Sequence, residues 1–215
     1  VDAEDIIKNK FKNDQFIIID YIKPGQLLAK EIYNFSKELE NIKIIFLKNH
    51  GIIIGADSVS DVNKLLNDIL LKCKTESIIK HLKIKYKKIK DFQPISDLLI
   101  NNLVLDDKLF SYLNSSWALY PDHIVFLGPQ PFIYNEISEL LEDCKNKKII
   151  PDIVFIYKVG VYVSKNFNQY QLEQVKCYYE VLIRQEGEAC LKKLNINEIN
   201  DITNWESEKY RRELN

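Results

Sequence analysis

The sequence has no methionine and only three histidines, and no apolar run in it is long. With Val1 standing where an initiator would, the missing methionine leaves two readings: a segment of a longer protein, or a row whose Met positions have dropped out. Imidazole chemistry is confined to His50, His81 and His123. No apolar run reaches the roughly 18 residues that a membrane span needs, so no membrane partner is expected. No basic region followed by an apolar stretch opens the chain, so no signal peptide is expected. Cys73, Cys144, Cys177 and Cys190 form no C-x-x-C pair. Their spacing matches no zinc site, and they read as free thiols of a cytoplasmic protein. Gly-rich phosphate loops, a serine nucleophile elbow and H-E-x-x-H are also absent. The net charge of −1 provides no global basic field, so no nucleic-acid partner is expected.

What is present suffices for one good core or two small ones: 215 residues, 46% of them apolar. The chain turns on Ile44-Ile45-Phe46-Leu47-Lys48-Asn49-His50-Gly51-Ile52-Ile53-Ile54-Gly55. Two Ile-rich runs flank Asn-His-Gly, whose Asn and Gly tolerate positive φ, so the stretch reads as a β-hairpin. Apolar residues on both sides predict that the hairpin is buried. His50 then stands at its tip, free to aim a ring nitrogen at a metal or a substrate, or simply bonded to backbone.

Elsewhere, Asp2 to Lys12 reads as a short, partly helical lead-in and Phe16 to Ile19 as a buried strand. A helix follows Pro24-Gly25, with Leu27, Leu28, Ile32, Phe35 and Leu39 as its stripe. After the hairpin, Asp57 or Ser58 caps a helix whose core face is Val59, Val62, Leu65, Leu66, Ile69 and Cys73. Lysines crowd residues 80–90 around His81, as a solvated linker or a phosphate-attracting surface. Phe92-Gln93-Pro94 breaks any helix, which places the domain boundary at 92/93. Two short helices are expected between Ile95 and Ser116, with Asp106 or Asp107 near the second cap. Ile124 to Leu127 reads as a strand; His123 at its start reads as part of the local structure, with orientation of its ring by Asp122 as the alternative. Glu136 to Lys145 reads as a helix, Asp152 to Ser164 as a second hairpin, and Asn168 to Leu191 as a long helix. Tyr162 and Trp205 read as packing aromatics.

The second half echoes the first. Aligning Gly51 with Gly160, an offset of 160 − 51 = 109, sets Ile44–Leu47 on Ile153–Ile156 and Ile52–Ile54 on Val161–Val163. His50 falls on Val159. If the repeat is real, the tip folds with an aliphatic residue, and His50 is not there to make the turn.

Leu47-Lys48-Asn49-His50-Gly51-Ile52-Ile53-Ile54-Gly55-Ala56-Asp57 resembles the Asn-His-Gly segment of the class II aldolase/adducin family. Tyr21 to Ala29 resembles that family's approach to its following helix. Tyr120-Pro121-Asp122-His123-Ile124-Val125-Phe126-Leu127-Gly128-Pro129 is similar to a segment of a branch with a C-terminal extension. Asn204 to Arg211 resembles that branch's closing segment. The resemblance implies an α/β protein: residues 1–92 as the C-terminal portion of an aldolase-like mixed α/β/α domain, and 93–215 as a smaller α/β extension. It implies a metal-dependent lyase that cleaves a sugar or sugar phosphate, with His50 as one ligand of zinc or another divalent ion, in a homo-oligomer. The family's His-x-His pair is nowhere in the chain, so the activity is expected to need residues upstream of Val1. A non-catalytic adducin-like assembly module, or an epimerase or dehydratase on the same scaffold, is the alternative.

Overall fold

The computed structural model describes residues 3–35, 41–77, 84–147, 150–185 and 191–213. Leu39, Lys80, His81, Lys83 and Cys190 lie outside the described residues. The chain is mixed α/β and divides into Val1–Glu76 and Ser77–Asn215, each with a small mixed sheet.

In the first unit, helix α1 (Ala3–Lys10) leads into strand β1 (Phe16–Ile19), helix α2 (Gln26–Asn34), strands β2 (Ile44–Leu47) and β3 (Gly51–Ile54), and helix α3 (Val59–Cys73). The sheet runs β1-β2-β3, with β1 parallel and β3 antiparallel to β2. Alternation along the strands sorts the side chains onto two faces. Ile44, Phe46 and Ile54 meet Phe11 and Ile69, so α1 and α3 share one face. Ile19, Ile45 and Leu47 meet Leu28, Ile32 and Phe35 of the α2 region on the other. Phe11, Phe16 and Phe46 pack edge to face, with centroids 5.0–6.1 Å apart. Ser58 caps α3, its hydroxyl accepting from Asp61 N–H.

Two expectations fail here. β2 is largely buried, but β3 is exposed along Gly51, Ile52 and Ile53, because it is the sheet's edge and no further strand lies beyond it among the described residues. On α3 only Ile69 is buried, while Val59, Leu66 and Cys73 are exposed. The apolar stripe is there, but the unit is too small to cover all of it. Leu27 of α2 is exposed for the same reason.

The second unit carries β4 (Phe92–Pro94), a 3₁₀ turn (Leu98–Asn101), α4 (Asn102–Leu105), α5 (Asp107–Ser115), α6 (Pro121–Leu127), β5 (Ile133–Tyr134) and α7 (Ile137–Lys147). β6 (Ile153–Ile156), β7 (Gly160–Ser164), α8 (Gln169–Leu182), α9 (Ile196–Thr203) and α10 (Glu206–Glu213) follow. Its sheet runs β4-β7-β6-β5. β6 and β7 are buried throughout, as central strands covered on both faces. Val154, Ile156 and Tyr162 pack on Leu140 of α7, together with Tyr86, Ile89 and Phe92. Residues just before Phe92 thus supply core to the second unit.

The segment Ile124–Leu127 is helical, not a strand. Pro121 takes the first helical position of α6, with Tyr120 extended before it, and Gly128 ends the helix at φ 86°. Five of its seven residues are buried, so the run lacks the polar face by which a helix is read. The helix expected to reach Leu191 stops at Leu182. Cys177 of that helix is exposed.

Candidate functional site

His50 is held by the sharp reversal between β2 and β3. Asn49 takes φ 54° and Gly51 φ 155°, and His50 N–H donates to Leu47 C=O at 3.1 Å. Lys48 N–H donates to Ile19 C=O at 3.0 Å, which ties the tip to the end of β1. The Lys48 ammonium lies 2.8 Å from both Glu4 Oε2 and Asp20 Oδ1. Hydrogen bonds from Lys48, then Lys8, hold the Glu4 carboxyl down at about 2, and the Lys48 ammonium is in turn raised by Asp20 and Glu4. The tip therefore carries a neutralised ion cluster with an exposed imidazole beside it in sequence. The ring finds no hydrogen-bond partner among the described residues, so the backbone-bonded alternative for His50 does not hold there.

The second hairpin repeats this geometry with a different residue at the tip. Lys158 takes φ 54° and Gly160 φ 152°, the values of Asn49 and Gly51 within three degrees. Val159 N–H donates to Ile156 C=O at 3.0 Å, and Tyr157 N–H to Tyr134 C=O at 2.9 Å. The strand registers Leu47↔Gly51 and Ile156↔Gly160 superpose under the same offset. Gly55 N–H to Lys43 C=O has its counterpart in Ser164 N–H to Asp152 C=O. An aliphatic side chain therefore serves this turn as well as an imidazole does.

Among the described residues, no group of three His, Cys, Asp or Glu side chains is placed to hold a metal. One neutral imidazole is a sound zinc ligand but does not hold a catalytic ion, which takes three protein ligands. The residues present thus fit one part of a metal centre and not the whole.

His123 is fully buried on α6, 4.2 Å from the Trp117 ring and 4.7 Å from Tyr178. Neither ring nitrogen has a partner, so Asp122 does not orient it. Burial alone pushes its pKa down to about 3. Tyr162 is a packing residue: its hydroxyl accepts from Lys87 N–H and donates to Lys87 C=O. Trp205 is half-buried.

Sequence reasoning missed the polar cluster where α6 meets α8. Gln171 Nε2 donates to Phe126 C=O at 3.2 Å and to Asp152 Oδ2 at 3.0 Å. A cavity of about 480 Å³ opens there, lined by Phe126, Phe132, Asp152, Asn166 and Asn168 among others. Nothing in the local pattern pairs Asp152 with Gln171 before the fold brings them together.

No protein-family model, no curated protein and no solved structure matches the chain.

Proposed function

We propose that this chain is part of a class II aldolase-like lyase that cleaves a sugar or sugar phosphate, with His50 as one ligand of a divalent ion, zinc first. The observation that carries the reading is internal to the molecule. The same turn is built with Val159, so His50 is dispensable for the backbone, and its ring is exposed and free of hydrogen bonds among the described residues. The first unit's helices on both faces of its sheet accord with the mixed α/β/α domain of that family. In this reading the other ligands come from outside the described residues, in a cytoplasmic homo-oligomer. Such an ion would supply Lewis acidity toward a substrate carbonyl, with His50 as one of the residues that would hold it. His50 would offer a ring nitrogen from a rigid tip, and the Lys48–Glu4–Asp20 cluster fixes where that tip lies.

A second reading, an adducin-like assembly module, is favoured by one observation: the described residues supply a single ligand. Zinc analysis of protein made from its complete reading frame, wild type against His50→Ala, separates the two. Loss of bound zinc and of ketose-phosphate cleavage, with an unchanged melting temperature, is the expected result. Equal zinc content in both proteins sinks the ligand assignment. Absence of zinc and of cleavage from the wild type favours the assembly module.

A further inference from the structure

The C-terminal end of α6 lines the cavity beside Gln171, and its carbonyls are unevenly served. The last C=O groups of a helix have no intrahelical donor, so side chains, water or a ligand must meet them. Gln171 Nε2 donates to Phe126 C=O at 3.2 Å, and Trp117 Nε1 donates to Gly128 C=O at 2.9 Å. Val125 C=O and Leu127 C=O accept no hydrogen bond among the described residues. The sequence dictates this: the residues four places on are Pro129 and Pro131, which have no N–H to give. Val125 and Leu127 are buried residues, and both line the cavity.

The same cavity holds Asp152. Among the described residues its carboxylate meets only neutral donors, Gln171 Nε2 at 3.0 Å and Ser164 Oγ at 3.4 Å. No Lys, Arg or His lines the cavity, and no ion pair reaches Asp152 among the described residues. The first unit shows that the backbone does not require this charge. Under the offset, Lys43 stands where the second unit has Asp152 (152 − 109 = 43), and its C=O takes the same backbone bond. At the third position of α3, where α8 has Gln171, Asp61 bonds to Ser58 and Lys64 instead.

We propose that this cavity binds a small primary amine as its ammonium ion. An ammonium has three N–H donors and no acceptor. The Asp152 carboxylate and the Val125 and Leu127 carbonyls are three acceptors with capacity left. The carboxylate and the negative end of the α6 dipole both favour a positive charge. Phe132, 38% exposed, adds a ring whose face attracts cations. An anion meets no cation here, and a neutral sugar leaves the Asp152 charge uncompensated. The cavity, about 480 Å³, falls within the roughly 300–1,000 Å³ of small-ligand sites. Its lining belongs wholly to the second unit, so the proposal is independent of His50 and of any metal.

Titration of the isotope-labelled full chain at constant pH tests it, with amide NMR shifts as the readout and butylamine, butanol, butyrate and glucose as probes. Butylamine should move the Leu127, Gly128 and Ile153 amides in one saturable step. Butanol has the same length without the charge and should bind about tenfold more weakly. Butyrate and glucose should leave these amides in place. Asp152→Asn keeps an acceptor for Gln171 but removes the charge, and should weaken butylamine about tenfold. Equal binding of butanol and butylamine overturns the proposal, as does binding of glucose or butyrate at these amides. So does an Asp152→Asn protein that binds butylamine like the wild type, or a wild type whose amides never saturate. Where the variant does not fold, the contrast between butylamine and butanol on the wild type decides alone.

Discussion

His123 is fully buried among aromatic rings with both nitrogens unpaired. Its pKa falls from the ordinary 6.5 to about 3 because the fold excludes water from the charged form. The sign follows: the unfolded chain takes up a proton at 6.5 and the folded chain does not until about 3. Stability is therefore full above 6.5 and drains as pH falls toward 3, by on the order of 5 kcal/mol at the limit. Chemical denaturation of wild type and His123→Phe between pH 8 and 4 reads this directly, and the variant should lose the part of the acid slope that begins near 6.5. Parallel slopes would place the acid sensitivity elsewhere. The repeat sets up a second residue-scale comparison. Gly51 and Gly160 share φ near 150°, so alanine strains either position by roughly 1–3 kcal/mol. At Gly160 the new methyl also meets Ile84 Cδ1 at 2.9 Å, while at Gly51 nothing lies within 4 Å. Melting temperatures should fall in both variants and clearly further in Gly160→Ala.

Elements owe their boundaries here to caps as much as to periodicity. Asn168 and Gln171 form a capping box at the start of α8, and Gln171 alone also reaches Phe126 C=O and Asp152. Asn168→Ala should lose about 1 kcal/mol, a cap's usual contribution. Gln171→Ala should lose more, about 2 kcal/mol, because it also removes the part-buried bonds to Phe126 C=O and Asp152. Equal losses in denaturant melts would mean that the bonds beyond the cap contribute nothing. The hairpins and their repeat were legible in the sequence because Asn-His-Gly and Lys-Val-Gly each sit between two short, continuous apolar runs, and the turn chemistry is local. The helix at Pro121–Leu127 was not, since burial on every side erased its polar face. The exposure of β3 and α3 was not either: an Ile-rich strand reads as buried whether or not a neighbour is present to bury it. At the site, His50 and its turn were readable, but the Lys48–Glu4–Asp20 cluster joins residues from three elements and has no pattern along the chain.

At the scale of the molecule the two units are unequally finished. Ser77–Asn215 contains the fully buried strands β6 and β7, the covered edge at β4, and the fully buried rings of Tyr162, Tyr178 and Phe155. Val1–Glu76 has a three-stranded sheet with an open edge and leaves Leu27, Tyr33, Val59, Leu70 and Leu71 each more than half exposed. A unit of that size buries a smaller share of its surface and has little stability in reserve. Residues 77–215 made alone should therefore keep near-ultraviolet circular dichroism and melt in one cooperative step. Residues 1–76 made alone should melt at a lower temperature and less cooperatively than residues 77–215. A cooperative melt of residues 1–76 at or above the temperature of residues 77–215 would show that the exposed isoleucines and leucines are tolerated as they stand. Collapse of residues 77–215 would show that the second unit needs the first, contrary to the self-contained core it presents.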